Sequence, residues 1–172
     1  MSSCLRYHPV TKQWQETVSL DTARQYATSV RISDEEWWIA GGSNYRHETL
    51  DSSLIYAGGK FYPGPKLPYA TRGMCGVKVN ITHILVAGGE SVSSSIEAHR
   101  ADAYLLNWVT KTWTKLPDMK ERRVHHACGV ANGRVVVIGS SDRGNFSRRT
   151  GEIHEPGQGR WYAGPELPDL VL

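Results

Sequence analysis

The chain has 172 residues, of which 40% are apolar, and its net charge is +3. This length allows one domain with a packed core, and so mild a charge gives no reason to expect nucleic-acid binding. No run approaches the ~20 apolar residues of a membrane helix, and residues 1–14 lack the apolar stretch of a secretory signal. Composition therefore favours a cytoplasmic protein that acts without a membrane or nucleic acid.

The cysteines point to the same compartment. Cys4, Cys75 and Cys128 are odd in number and show no C-x-x-C spacing. A disulfide framework or a zinc site is therefore not indicated. The tripeptide CGV occurs at both 75–77 and 128–130, which favours small core residues at matching positions. We expect reduced, buried thiols.

Three segments share a pattern of two strands that end at glycine. VRISDEEWWIAGG spans 30–42, VKVNITHILVAGG spans 77–89, and VANGRVVVIGS at 130–140 is two residues shorter. The last contains Asn-Gly between apolar runs, a strong signal of a β-hairpin. Each segment is predicted to form two strands, called a and b, with b apolar throughout. The glycines that end strand b are Gly41, Gly42, Gly88, Gly89 and Gly139.

Two further strands, called c and d, follow each hairpin, and one such pair also precedes the first hairpin. Strand c ends near an aromatic residue at Tyr7, Tyr56, Tyr104 and His154. Strand d begins at Trp14, Phe61, Trp113 and Trp161. A Leu-Pro pair closes strand d at 67–68, 116–117 and 167–168, and an arginine opens each new unit at Arg24, Arg72 and Arg123.

The aromatic residues of strand d recur at steps of 47, 52 and 48 residues. A period near 50 with four strands per unit is typical of a β-propeller blade. The sequence therefore predicts an all-β fold of 14 strands. Its units are a half blade at 1–19 with strands c and d only, followed by blades at 24–68, 72–118 and 123–168.

The order of glycine pair, tyrosine and tryptophan resembles the kelch repeat of β-propellers over almost the whole chain. The departures are Gly139-Ser140 in place of two glycines, His154 in place of tyrosine and Phe61 in place of tryptophan. The resemblance implies an incomplete kelch-type propeller of about three and a half blades. We expect a piece of a longer propeller, and the alternative is a stand-alone half-propeller that associates with itself.

The recurring residues have structural roles in this prediction. Glycine at the end of strand b permits backbone angles and close approaches that a Cβ forbids. The tyrosines and tryptophans would fill the space between neighbouring sheets. The arginines would bridge neighbouring blades through their guanidinium groups.

Catalytic patterns are weak in this sequence. His125, His126 and Cys128 form the densest group of possible metal ligands, but alternation along strand a leaves only His126 and Cys128 on one face. Two ligands make an incomplete metal site. The sequence has no nucleophile elbow, phosphate loop or paired carboxylates. We therefore expect no enzyme, metal or cofactor, because a kelch-fold enzyme would need axial acid and base residues.

The resemblance implies that ligands meet the b–c loops and the d–a connections. The b–c loops span 43–51, 90–102 and 140–150. Together with the d–a connections they present several arginines and the tyrosines Tyr26 and Tyr45. Tyrosine and arginine contribute most to interface energies, and such a rim suits an extended acidic peptide. The predicted partner-binding residues are Tyr45, Arg46, His47, Arg72, Arg123, Arg143, Arg148 and Arg149.

The resemblance implies a protein–protein interaction module. The expected role is substrate recognition, as in the kelch-like adaptors of cullin-RING ubiquitin ligases. The partner would be a protein or peptide, and cullin-RING machinery would join only through a BTB-BACK region outside this sequence. The alternative is an actin-binding kelch scaffold of the cytoskeleton, which needs the same blades with different loops.

Overall fold

The computed structural model describes residues 3–93, 96–141 and 148–168, and all sixteen regular elements within them are β-strands. The all-β prediction is confirmed. The strands are β1 (Leu5–His8), β2 (Gln13–Glu16), β3 (Thr28–Arg31), β4 (Glu36–Ala40), β5 (Ser53–Ala57), β6 (Lys60–Pro63), β7 (Cys75–Lys78), β8 (His83–Ala87), β9 (Glu90–Ser93), β10 (Ile96–His99), β11 (Ala103–Asn107), β12 (Thr112–Leu116), β13 (Ala127–Ala131), β14 (Arg134–Ser140), β15 (Arg148–His154) and β16 (Trp161–Ala163).

Twelve strands form three antiparallel sheets of four, each in chain order from a to d. The first blade is β3-β4-β5-β6, the second is β7-β8-β11-β12, and the third is β13-β14-β15-β16. Strands β1 and β2 pair only with each other and form the half blade. The two strands beyond the fourteen predicted are β9 and β10, a hairpin within the second b–c loop.

The a strands lie innermost, with β7 between β3 and β13. Strand b of the second blade, β8, is buried on both faces. In β8, Val86 packs toward the first blade with Trp38, whereas Leu85 packs toward the third blade with Val137. This two-sided burial explains why the b strands are continuously apolar, as in sheets covered on both faces. We call the side toward the preceding unit the front face of a blade and the opposite side its rear face.

The tryptophans of strand d join each blade to the one before it. Trp113 lies on the front face of the second blade, with its ring centroid 6.1 Å from that of Trp38. Its indole Nε1 donates to the Lys66 carbonyl at 2.8 Å. Trp161 repeats this contact by donating to the Pro117 carbonyl at 2.8 Å. Apolar packing and a specific hydrogen bond therefore act together at both blade junctions.

The glycine at the end of strand b lies beneath the backbone of the next unit. A Cβ added to Gly41 would lie 2.6 Å from the Thr71 carbonyl oxygen, and one added to Gly88 would lie 2.5 Å from that of Arg123. Both glycines also have positive φ, +64° and +66°. Only glycine tolerates this combination of angle and proximity.

The second glycine of each pair makes the backbone bond between blades. The Gly42 amide donates to the Thr71 carbonyl at 2.8 Å, and the Gly89 amide donates to the Arg123 carbonyl at 2.7 Å. In the third blade Ser140 takes this position. Its hydroxyl accepts from the Val124 amide at 3.0 Å and donates to the carbonyl of the same residue.

The opening arginines differ from the expectation that they bridge blades. Arg24 and Arg123 donate to the end of strand b and the start of strand c in their own blade, at distances between 2.7 and 3.1 Å. Arg72 lies one position later in the repeat, because its backbone pairs with Glu90 as that of Gln25 pairs with Ser43. Arg24 and Arg123 thus brace their own blades, whereas backbone bonds and the strand-d tryptophans join neighbouring blades.

One predicted repeat aromatic lies out of register. In three units the aromatic of strand c faces that of strand d, with ring distances of 5.1, 5.2 and 5.0 Å. In the second blade Trp113 instead faces buried Leu106. Tyr104 lies two residues earlier and packs near Tyr69, with ring centroids 5.5 Å apart.

The Leu-Pro pairs are also not all equivalent. The amides of Leu67 and Leu167 each donate to a carbonyl at or just before the start of strand c of their blade, and in the second blade the Met119 amide makes this bond. Met119 is buried like Leu67, with 4% and 6% exposed. Leu116 therefore belongs to strand d, and methionine fills the pocket that leucine fills elsewhere.

Cys75 and Cys128 form a disulfide, with Cα atoms 5.9 Å apart, so the expectation of reduced thiols at these positions is wrong. The register explains the error. Cys75 lies opposite Ala87, on the rear face of its blade, whereas Cys128 lies opposite Val137, on a front face. A shift of one residue turns a side chain to the opposite face of a strand. The matching CGV tripeptides are thus offset by one residue, and their sulfurs meet between blades.

The half blade is the least covered unit. All residues of β1 and β2 are exposed, including Tyr7 at 45% and Trp14 at 65%. A cavity of about 840 Å³ lies between this unit and the first blade, lined by Trp37, Tyr56 and Phe61 among others. Within the described residues the half blade consists of strands c and d, and the space that strands a and b occupy in the other blades is open.

We expect Gly88→Ala to lower the free energy of unfolding by roughly 2–4 kcal/mol, because the residue combines positive φ with a close carbonyl. Gly129→Ala is the matched control, since a Cβ there meets no atom within 4 Å. Chemical denaturation of both variants measures the difference. Equal losses would contradict the assigned role of Gly88.

Trp113→Ala is expected to cost about 3–5 kcal/mol of stability, because it empties a blade junction. Trp14→Ala removes the same side chain from an exposed position and is expected to cost less than about 0.5 kcal/mol. Thermal and urea unfolding of dilute protein compares the two variants. A large loss from Trp14→Ala would show that the half blade is better packed than its exposure indicates.

Candidate partner-binding face

The b–c loops and the d–a connections meet at one end of the sheets. Gln25 in the first d–a connection pairs with Ser43 in the first b–c loop, and Arg72 pairs in the same way with Glu90. The Thr49 hydroxyl lies 3.5 Å from the Val92 carbonyl oxygen, between the first and second loops. These contacts build one continuous surface from segments distant in sequence.

Tyr45 and Arg46 form an exposed pair in the first loop. Tyr45 is 74% exposed, and its hydroxyl accepts from Arg46 Nε at 2.9 Å. The guanidinium carbon lies 5.3 Å from the centre of the tyrosine ring. An aromatic surface and a cation are thus held side by side before any partner arrives.

The backbone that carries this pair is well ordered by hydrogen bonds. Asn44 Oδ1 accepts from the amides of Arg46 and Glu48, at 2.9 and 3.1 Å. Asn44 Nδ2 donates to the Glu48 carboxylate at 2.7 Å. The next residue, His47, is exposed and has a φ of 63°. An asparagine that bonds its own loop is a common way to fix a tight turn.

Arg72, predicted to contact a partner, is turned inward. It is 4% exposed, and its Nε donates to the Glu90 carboxylate at 2.6 Å. His99 from the β9–β10 hairpin lies 3.4 Å from the other carboxylate oxygen. The guanidinium carbon also lies 5.8 Å from the centre of the Tyr26 ring. Arg72 therefore stabilises the base of the face.

Arg123 is fully buried within the third blade. It pairs with the carboxylates of Glu152 and Glu121, with Nη2 at 3.2 and 3.1 Å. A partner could reach this guanidinium only by breaking a buried ion-pair network, which is costly. The structure assigns Arg123 to the scaffold.

The remaining predicted arginines lie on the third loop. Arg143 lies outside the described residues. Arg148 begins β15 opposite Ser140, and only its backbone is described. Arg149 donates from Nε to the Leu167 carbonyl at 2.7 Å. Binding by Arg143 and Arg148 stays a prediction, whereas Arg149 ties its loop to the segment that leaves β16.

Two exposed rings near the axis were not among the predicted binding residues. Tyr26 is 52% exposed, and its ring centroid lies 4.9 Å from that of His125. Both precede strand a and have positive φ, 58° and 51°, as does Gly73 at the same place in the second blade. Gly73 leaves room for them, since its own Cβ would lie 2.9 Å from the His125 ring. The sequence signal that could have identified Tyr26 and His125 is their equivalent position in the repeat, just before strand a.

The exposed part of the face is aromatic and basic. Its exposed aromatic and basic side chains are Tyr26, Tyr45, Arg46, His47, Arg122 and His125, and Gln25 and Glu48 are exposed beside them. Such a surface can bind carboxylates through charge-assisted hydrogen bonds and cover apolar side chains with ring faces.

The possible metal ligands do not converge. Cys128 is bonded to Cys75, and neither ring nitrogen of His126 has a hydrogen-bond partner among the described residues. In the described ranges no group of three or more His, Cys, Asp or Glu side chains is placed to hold a metal ion. The same residues include no helix long and apolar enough to cross a bilayer.

Comparison with known proteins identifies relatives for the repeats. No protein-family model matches the chain. It is 28% identical to an F-box/kelch-repeat protein of Arabidopsis thaliana over 160 residues, which covers 88% of this chain and 40% of the relative. It is 30% identical to Kelch-like protein 34 of Homo sapiens over 93 residues, which covers 49% of this chain and 14% of the relative. The chain thus spans less than half the length of either protein.

Among solved structures, that of YjhT superposes with a TM-score of 0.79 at 14% identity, covering 95% of this chain and 52% of that one. At this identity the likeness shows the fold alone. The resemblance to kelch repeats and the incomplete kelch-type propeller fold are confirmed.

Burial of His126 is expected to make the free energy of unfolding depend on pH. Burial, followed by the charges of Arg123 and His125, lowers the pKa of His126 from 6.5 to about 4. The unfolded chain therefore binds this proton more readily, and stability is complete above pH ~6.5 and falls as the pH decreases toward 4. The expected loss is roughly 3 kcal/mol. Denaturant titrations between pH 7 and pH 4 measure it.

His126→Leu is the matched variant, because leucine has no proton to gain. We expect it to lose less stability than the parent over this pH interval, with His154, whose pKa is also lowered by burial, accounting for part of what remains. An unchanged pH dependence would contradict the role of His126.

Proposed function

We propose that this kelch-repeat chain is a protein-interaction module that binds an extended, acidic segment of a partner protein. The observation that carries the proposal is the preorganised pair of Tyr45 and Arg46, exposed on a loop that hydrogen bonds hold in place. Tyrosine and arginine are the residue types that most often dominate binding energy, and a fixed conformation lowers the entropy lost on binding.

Placement on the scaffold supports the same conclusion. The first loop joins the d–a connection through Gln25 and Ser43, and it contacts the second loop through Thr49. A partner segment that crosses this end would meet Tyr45 and Arg46 at the rim and Tyr26 nearer the axis. Loops held by a rigid sheet framework are common sites of recognition.

The finer role we propose is substrate recognition for a ubiquitin ligase of the cullin-RING class. Its support is the resemblance to kelch-like adaptors, together with relatives named F-box/kelch-repeat protein and Kelch-like protein 34. The ligase machinery would be recruited by a region outside these 172 residues. We propose no catalysis by this chain. We also propose a cytoplasmic location, which rests on composition alone because the Cys75–Cys128 disulfide removes the argument from reduced thiols, and imaging of the tagged protein tests it. An actin-binding scaffold is the alternative, and co-sedimentation with actin filaments separates it.

The proposal is tested by selection from a random 12-residue peptide library displayed on phage. We expect the selected peptides to be enriched in Asp and Glu. The double variant Tyr45→Ala with Arg46→Ala is expected to weaken binding of the best peptide at least ~30-fold, the loss of about 2 kcal/mol that defines a strong contact.

Tyr62→Ala is the matched control, since Tyr62 is an aromatic residue 49% exposed on β6, away from the loops. It is expected to bind the peptide as the parent does. Selected peptides without acidic enrichment, or equal binding by the double variant, would overturn the proposal.

A further inference from the structure

The half blade displays a surface that the second and third blades bury. In the second and third blades, the strand-d tryptophan covers the rear face of the preceding blade, so that Trp161 is 2% exposed. Trp14 holds the same position and has a ring neighbour 5.1 Å away in Tyr7, yet it is 65% exposed. Leu5, on the same face of β1 as Tyr7, is 58% exposed. The front of the half blade is therefore a junction surface that no described residue covers.

The third blade displays the other half of such a junction. The residues three and one positions before the strand-b glycine form the centre of each rear face. In the first two blades these side chains are 0% or 1% exposed, because the next blade covers them. In the third blade they are Val136 and Ile138, which are both partly exposed.

The backbone around these two residues is equally open. Gly129 lies opposite Val136 in the sheet, and a Cβ added there would meet no atom within 4 Å. In the first blade the residue opposite Trp38 is Val30, which is 5% exposed beneath the second blade. Among the described residues, the rear face of the third blade is thus apolar and only partly covered across two strands.

The hydrogen bond of the junction is incomplete at the same two ends. Trp113 and Trp161 each donate to a carbonyl in the connection that leaves the preceding blade. The corresponding carbonyls after the third blade belong to Pro165 and Glu166, and within the described residues no indole donates to them. One end of the chain offers a tryptophan donor, and the other offers the matching acceptor.

We infer that these two surfaces bind each other between copies of the chain. The front of the half blade of one copy, with Leu5, Tyr7 and Trp14, docks on the rear face of the third blade of a second copy, around Val136 and Ile138. The occupant is a second copy because this contact continues a junction that occurs twice within the chain. Burial of exposed apolar side chains drives the association.

The contact is heterologous, since two different surfaces of the chain meet. Each copy that has used its front face still offers its rear face. The assemblies are therefore rings if the rotation closes and open chains if it does not. A symmetric dimer that used one surface twice would respond differently to mutation, so the experiment below distinguishes it from the heterologous contact.

The experiment is sedimentation velocity of the purified chain and three variants. The parent is expected to show a mass above that of one copy that rises with protein concentration. Trp14→Glu removes the front surface and Val136→Glu removes the rear surface, so each variant alone is expected to sediment as a single copy. Ile81→Glu, at an 85% exposed turn, is the matched control and is expected to associate as the parent does.

Mixing the two defective variants in equal amounts provides the decisive measurement. The intact rear face of Trp14→Glu can receive the intact front face of Val136→Glu, so the mixture is expected to form pairs and no larger species. Far-UV circular dichroism and melting of each variant confirm that it is folded, and the recovery of pairs in the mixture shows that both remain competent.

Three results would overturn the inference. The first is a parent that stays a single copy at all concentrations tested, as it would if these faces await further blades of a longer chain. The second is a folded Trp14→Glu or Val136→Glu variant that associates like the parent. The third is a mixture of folded variants in which no pairs form.

Discussion

The close passage of one unit over the glycine pair of the unit before it is the constraint on which the architecture depends. The Gly89 amide reaches the Arg123 carbonyl at 2.7 Å only because neighbouring Gly88 has no Cβ and a positive φ. This bond fixes where the next strand a begins. The tryptophan of strand d can then reach back to the preceding blade. The backbone contact therefore sets the distance between neighbouring blades, and aromatic side chains fill the space between them.

The same passage positions the binding loops. Because the d–a connection is fixed against the end of strand b, the b–c loop that leaves this point starts from a defined place. Tyr45 and Arg46 stand on such a loop, beside the connection that carries Tyr26. Arg72 and Glu90 form their buried ion pair at the corresponding point in the second blade. Residues proposed to contact a partner and residues that stabilise the scaffold thus lie at corresponding places in neighbouring blades. Arg46 is exposed to solvent, whereas Arg72 and Glu90 are paired in the interior.

The repeat period, the four strands per unit and the glycine sites could be read from the sequence, because glycine spacing and apolar runs follow directly from backbone geometry. The exact register could not. The repeat positions that the sequence assigned to Tyr104, Leu116 and Arg72 are occupied in the structure by Leu106, Met119 and Thr71. The residue type expected at each of these positions occurs one to three positions away, so the sequence pattern suggested the wrong register. The same uncertainty in register, here of one residue, is why the disulfide was not predicted. The inward turn of Arg72 depended on Glu90 and the β9–β10 hairpin, whose polar sequence resembles a loop.

The bond between Cys75 and Cys128 has a topological consequence. The two residues are 53 positions apart, and the strands β8 to β12 lie between them. The outer three-quarters of the second blade is therefore enclosed in a covalent ring anchored at the hub. In the chain-entropy view a ring of this size stabilises the fold by about 4 kcal/mol. A protease that cut within the β9–β10 hairpin would leave both fragments attached until a reductant released them.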